Sequence, residues 1–215
     1  MPFINKTSIP RRRGRPGPSV KEDVRQDILN AAERLLALQG FSATTIRQIA
    51  DEVKVNPAMV HYYFDTKQSL LEAVMSNALE PLAESLQALQ QKGEFKLSEF
   101  TSLLFSVMAR HPTLPQLIAR EVFLPGGIMQ QHFLDSFAPR LGGRLPGILI
   151  REQQAGRLDP DLDPGITALL VLSLCFFPFI ARTAANQALN ISYDEAGLAK
   201  IAGHVNRILQ TGIGT

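Results

Sequence analysis

The sequence predicts an all-α chain: an N-terminal three-helix unit ending in a helix-turn-helix, followed by a larger helical domain. Three observations carry that reading. Apolar residues recur at the helical period in one segment after another. Asn56-Pro57, a helix-start signal, follows closely on the end of an apolar stripe at Val53, so two short helices meet at a tight turn. Gly40, Gly93, Pro125-Gly126-Gly127, Gly156 and Asp163-Pro164 then punctuate the rest of the chain into helix-sized pieces.

Composition narrows the possible functions. The 215 residues can form one domain or two, and a 45% hydrophobic content supports a sizeable core. The single cysteine, Cys175, excludes an internal disulfide framework and a thiolate metal site, and suits a reducing cytosol; cytoplasmic localisation is expected. His61, His111, His132 and His204 lie far apart without ligand spacing, so neither a metal site nor a cofactor is expected. The basic start is followed by no apolar h-region, which argues against a secretory signal. The longest apolar run, 166–181, falls short of the ~20 residues that span a bilayer and contains Pro178; it reads as a buried helix, with no membrane partner. No nucleophile and base at motif spacing and no Gly-rich phosphate loop occurs, so an enzyme is not expected.

The net charge is only +2, but its placement matters more than its sum. From 1 to 20 the charged residues are Lys6, Arg11, Arg12, Arg13 and Arg15, with no acid among them. Residues 1–18 therefore read as a flexible basic arm. Within it, Arg11-Arg12-Arg13-Gly14-Arg15-Pro16 resembles the AT-hook core, an extended strand that lies in a narrow A·T minor groove. Gly14 permits close approach of the backbone, and the arginines seek the negative potential of that groove. Sequence-independent phosphate attraction is the other reading of the same residues.

The folded part starts at Ser19, where Ser19 and Glu22 form a capping box. Val24, Ile28, Ala31, Leu35 and Leu36 continue one apolar face until Gly40 ends the first helix. Thr44 is the expected N-cap of the second, with Ile46, Ile49, Ala50 and Val53 as its inward stripe. Asn56 caps the third, and Pro57 sits at its first position, where a missing N–H costs nothing. Val60 and Phe64 face inward, leaving Pro57, Ala58, Met59, His61 and Tyr62 on the outer face or the N-terminal end. That end of a helix-turn-helix enters the major groove.

The stretch GFSATTIRQIADEVKVNPAMVHYYFDTKQSLLEAV, residues 40–74, resembles the signature of the tetracycline-repressor (TetR) family of bacterial transcription regulators. Gly40, Phe41, Thr44, Ile49, Ala50, Val55, Phe64 and Lys67 fall at the family's spacing. The resemblance implies that Thr45 and Arg47 touch the DNA backbone or a base, that Asn56, Pro57, Ala58, Met59 and Tyr62 meet the operator, and that Lys67 grips a phosphate. Arg47 is the best candidate for a guanine, and Ala58 or Met59 for thymine methyls. Two positions depart from the pattern. Lys54 stands where the family usually has glycine, which implies either a left-handed backbone penalty or an altered turn and adds a cation near the phosphates. His61 replaces a phosphate-bonding tyrosine, and its imidazole can still donate one hydrogen bond.

Residues 19–66 thus read as the helix-turn-helix domain and 67–215 as a helical effector-binding and dimerisation domain. A long helix is expected from 67 to about 89, with a kink at Pro81. Helices follow over 97–110 and 114–123, and a stretch over 129–154 is interrupted by Pro139, Gly142-Gly143 and Pro146. A helix from 165 to about 188, apolar all round, is expected to be buried on several sides. A last helix spans 193–209, with Leu198, Ile201, Ala202, Val205 and Leu209 as its stripe. The resemblance implies that the final two helices pair two copies into a homodimer, so that two reading heads meet a palindromic operator. It also implies an effector pocket, sought near Phe105, Met108, Phe123, Phe133, Phe137, Phe176 and Phe177, with His111, Arg120, His132 and Arg151 as polar candidates. The expected function is a DNA-binding regulator, a repressor released by a small lipophilic effector; a ligand-independent architectural DNA binder is the alternative.

Overall fold

The structure, a computed structural model, describes residues 18–91 and 96–213. The basic arm with Arg11, Arg12, Arg13 and Arg15 lies outside the described residues, as do Gly93 and the side chain of Ser19 on which the expected capping box depends. Among the described residues helices joined by turns and loops make up the fold, with no strand. The order is α1 (Pro18–Gln39), α2 (Ile46–Glu52), α3 (Pro57–Phe64), α4 (Lys67–Gln91), α5 (Leu97–Arg110), α6 (Leu114–Ile118), α7 (Gln130–Ser136), α8 (Leu145–Gln154), α9 (Pro164–Ile180), α10 (Arg182–Leu189) and α11 (Glu195–Ile213). A π-helical turn, Ala119–Phe123, continues α6, and a 3-10 turn, Gly142–Arg144, precedes α8.

Helix α1 buries Ile28, Leu29, Ala32 and Leu36 against α4 and α6. It ends where Gly40 adopts φ +82 and its N–H donates to Leu36 O at 2.9 Å, a left-handed stop. The next cap falls one residue later than expected. Thr45 is the N-cap of α2: its side chain accepts from Gln48 N–H, and the Gln48 side chain accepts from Thr45 N–H. Thr44 is fully buried, and its hydroxyl donates to Gly40 O at 2.8 Å, closing the turn between α1 and α2.

Helix α4 packs on α1, α3 and α5. It runs unbroken past Pro81 to Gln91, so the expected kink does not divide it. Pro81 is exposed, and the missing N–H only frees the Asn77 carbonyl on a partly solvated side. Helix α5 packs on α9 and α11, and the buried Thr101 hydroxyl bonds Asn206 Oδ1 of α11 at 2.5 Å.

Two expectations for the last helices change. The single helix expected over 165–188 is two, α9 and α10, bent by 73° about Ala181. Tyr193 Oη donates to Pro178 O at 2.6 Å, taking the carbonyl that a continuous helix would offer to Arg182 N–H. Helix α9 is also not buried all round. Thr167, Ala168, Val171, Cys175 and Phe179 face inward, whereas Ile166, Leu169, Leu170 and Phe177 are each more than half exposed. The stripe expected on α11 points inward instead: Val205 and Leu209 are buried and Leu198, Ile201 and Ala202 pack on the same core, against α5 and α9. Among the described residues no single helix is long and apolar enough to cross a membrane.

Candidate DNA-reading surface and effector cavity

The joint between α2 and α3 is a Schellman motif. Val55 N–H donates to Ala50 O at 2.9 Å, Lys54 N–H donates to Asp51 O at 3.2 Å, and Lys54 sits between them at φ +56. Lys54 therefore occupies the left-handed position that glycine fills without penalty, and its exposed side chain projects from the turn. Asn56 caps α3 by accepting from Ala58 N–H at 2.9 Å, with Pro57 in the first turn. Val60 and Phe64 anchor α3 in the core. Ala58, His61 and Tyr62 are exposed on the opposite side, Tyr62 by 66%, with Pro57 and Met59 partly so. On α2 the Arg47 side chain is 85% exposed and only loosely paired with Asp51 at 3.9 Å. Thr45 is exposed, but its hydroxyl is engaged with Gln48.

Two of the residues expected at phosphates have other partners. Lys67 Nζ donates to Phe41 O at 2.7 Å and Thr44 O at 2.8 Å and lies 4.1 Å from the centre of the Phe41 ring. Its charge faces the carbonyls that close the turn between α1 and α2, a structural task that engages two of its three N–H donors. His61 Nδ1 donates to Asp65 O at 2.7 Å, where the chain leaves α3 with Asp65 at φ +59. Only Nε2 is left for DNA, and it carries a proton only when the ring is charged.

Beside this unit lies a cavity of about 460 Å³ between α4, α5, the π-helical turn, α7 and α9. Four of the sequence candidates line it: Phe123, Phe133, Phe176 and Phe177. Three do not. Phe105 packs on Phe179, and Phe137 is buried against Phe133 and His132. Met108 borders a separate hollow of about 120 Å³. The inner wall is aliphatic, with Leu79, Leu82 and Leu86 of α4, Leu104 of α5 and Leu172 of α9. Sequence reasoning passed over these because leucines at helical spacing are indistinguishable from core.

None of the polar candidates reaches the cavity. His111 Nδ1 donates to Glu33 Oε2 at 2.7 Å, Arg120 donates to Ala37 O at 3.3 Å, His132 lies edge-on to Phe137, and Arg151 is exposed. Two of them instead join the cavity half of the chain to the reading half. The buried Glu33 of α1 accepts from His111 and from the Thr113 hydroxyl at 2.7 Å. The buried Glu121 accepts from Phe41 N–H at 3.0 Å, next to the Arg120 bond to α1. Neither acid carries a local motif that marks it.

The π-helical turn holds both functions. Leu124 N–H donates to Ala119 O at 2.9 Å, the i→i+5 spacing that defines it. Ile118, just before the turn, and Phe123, at its end, both line the cavity. Arg120 and Glu121, between them, bond the end of α1 and the turn leading to α2. The following loop folds back on this turn: Met129 N–H donates to Glu121 O at 2.9 Å, and a Cβ on Gly127 would sit 2.5 Å from the Glu121 carbonyl.

A helix-turn-helix with a solvent-facing, apolar and cationic reading surface, carried by a helical body with its own apolar cavity, defines a DNA-binding transcriptional regulator. Comparison with known proteins agrees. Residues 28–74 match the family model "Bacterial regulatory proteins, tetR family", and 94–208, more than half of the chain, match "Tetracyclin repressor-like, C-terminal domain". The chain belongs to the TetR family of transcriptional regulators, not to an enzyme family. It is similar to the HTH-type transcriptional repressor NicS of Pseudomonas putida, 26% identical over 157 residues, which is 71% of this chain and 74% of that protein. Its fold is that of the ketosteroid transcriptional regulator KstR2 of Mycobacterium tuberculosis, with a TM-score of 0.72 at 15% identity, covering 89% of this chain and 95% of that one. A transcriptional regulator from Saccharomonospora viridis solved with choline shares the fold with a TM-score of 0.65 at 17% identity over 90% of this chain and 99% of that one.

Proposed function

We propose that the chain is a homodimeric repressor that binds a palindromic operator through two α3 reading heads and leaves it when a small lipophilic molecule fills the cavity. The observation that carries this reading is the double use of Ala119–Phe123. One side lines the cavity through Phe123, and the other bonds the reading half through Glu121 and Arg120. A ligand that displaces Phe123 shifts the residues that hold the turn before α2. A shift of a few ångströms takes one head out of register with its half-site.

In this reading residues 1–18 are the arm, 19–66 the reading domain and 67–215 the effector and pairing domain. Arg47 meets a base, and Pro57, Ala58, Met59 and Tyr62 form the apolar reading face. Thr45, Lys54, Asn56 and His61 border the phosphates, and the arm's Arg11, Arg12, Arg13 and Arg15 add charge. Pairing runs through α9 and α11, whose exposed Ile166, Leu170 and Ile208 lie outside the cavity wall and are apolar surface of the kind that marks an association face. The protein acts where the chromosome is, in the cytosol. The relative named a repressor supports repression, and the solved relative holding choline supports regulation by a small molecule.

The experiment is an operator titration with candidate effectors, read by fluorescence anisotropy. Release by an apolar molecule is expected, and operator affinity untouched by any bound molecule contradicts the reading. A steep salt dependence with little sequence preference would favour the architectural alternative instead.

A further inference from the structure

We infer that the effector is electrically neutral: a hydrocarbon-rich molecule carrying at most an isolated hydroxyl, rather than a carboxylate or a quaternary ammonium ion. This rests on reading the cavity as the effector site. The argument is one of chemistry at the wall. Among the described residues that line the cavity, none has a charged side chain, and Ser173 is the only one with a polar side chain. The Ser173 hydroxyl already donates to Leu169 O at 2.8 Å within its own helix, so it can only accept from a ligand. Backbone carbonyls at the glycine pair are engaged as well, Gly142 O by Leu145 N–H. At Gly142-Gly143, the Ala138 carbonyl is taken by Gly143 N–H at 2.8 Å.

Such a wall rewards apolar surface and little else. Each buried methylene contributes the same amount whatever head group it carries, so congeners of one chain length differ only at the head. An ion moved into an apolar site without a partner loses its hydration with nothing to replace it. The cavity is open on the side of Phe123, Leu169 and Phe177, each more than half exposed, and a head group left there meets aromatic and aliphatic side chains instead of a counter-ion. A volume near 460 Å³ lies within the ~300–1,000 Å³ of small-molecule sites.

The test uses three probes with one eight-carbon chain: n-octanol, octanoate and octyltrimethylammonium. Binding to the full chain is measured by calorimetry at neutral pH and operator affinity by anisotropy. Octanol is expected to bind tighter than either ion by about tenfold or more. Leu172→Trp, which fills the cavity, is expected to abolish octanol binding while the circular dichroism spectrum stays helical. Ser173→Lys, at an exposed position on the rim, is expected to raise octanoate affinity by about tenfold by supplying the missing counter-ion. An ion binding as tightly as octanol overturns the inference. So does octanol binding that survives Leu172→Trp, or no binding by any of the three probes. Octanol that binds in the cavity without changing operator affinity supports the ligand class and defeats the repressor-release reading, so the two failures are told apart.

Discussion

Phe41 N–H donates to the buried carboxylate of Glu121 across 80 positions of sequence, at 3.0 Å. Phe41 opens the turn that leads into α2, and Glu121 belongs to the turn that walls the cavity, so one hydrogen bond spans the two halves of the molecule. Replacing Glu121 by Ala strands that N–H and is expected to cost about 1–3 kcal/mol in urea unfolding. Glu121→Gln keeps an acceptor at the same reach and is expected to lose less than half of that.

Lys54 separates turn strain from DNA affinity. At φ +56 it bears a left-handed penalty that glycine lacks, so Lys54→Gly is expected to stabilise the fold by about 1 kcal/mol, seen as a higher melting temperature. The same change removes a cation beside the reading helix. Operator binding should weaken similarly for all sequences, with its salt slope reduced by about one. A variant that is both less stable and unchanged in salt dependence would contradict both assignments.

Arg47 and Lys67 should behave in opposite ways. Arg47 is solvent-facing, so Arg47→Ala is expected to leave stability within about 0.5 kcal/mol, while costing about 1–3 kcal/mol in operator affinity and relaxing one base position. Lys67 bonds two carbonyls, and Lys67→Ala is expected to destabilise the fold by about 1–3 kcal/mol and to leave the salt slope of binding unchanged. Melting curves and salt-dependent titrations of the two variants distinguish these roles.

Burial pushes the Cys175 thiol from its ordinary 9 up to about 12. The thiolate is the reactive form, so iodoacetamide near pH 8 should modify Cys175 only in unfolded protein. The sign of the linkage follows. The raised value belongs to the folded state, so its contribution to stability is complete below pH 9 and is lost as the pH rises toward 12. Mass spectrometry of labelled native and urea-unfolded protein checks the first statement, and alkaline melts check the second.

The local parts of the fold were legible in the sequence. The Asn56-Pro57 start and the inward Val60 and Phe64 each follow from the residue type at that position and its immediate neighbours, whereas the left-handed Lys54 is one of the two outcomes that only the family resemblance implied. Adjacent threonines were harder: Thr44 and Thr45 are equally good caps, and the one that caps α2 is decided by Thr44 being buried under Gly40. What escaped were relationships across the chain. The carbonyls of Phe41 and Thr44 that hold Lys67, and the acids Glu33 and Glu121 that bridge the halves, have partners 23 to 80 positions away. No periodicity records such a distance. The cavity was half visible, since aromatics attract notice while Leu79, Leu82, Leu86 and Leu104 look like any core.

The proposed coupling of cavity to reading head is tested most directly by titrating octanol into operator complexes of the unmodified chain and of Glu121→Ala, with octanol binding measured in parallel by calorimetry. The account predicts equal octanol affinity in both, with release of operator by the unmodified chain and retention by the variant. Equal release by both would show that the signal does not pass through the Glu121–Phe41 bond.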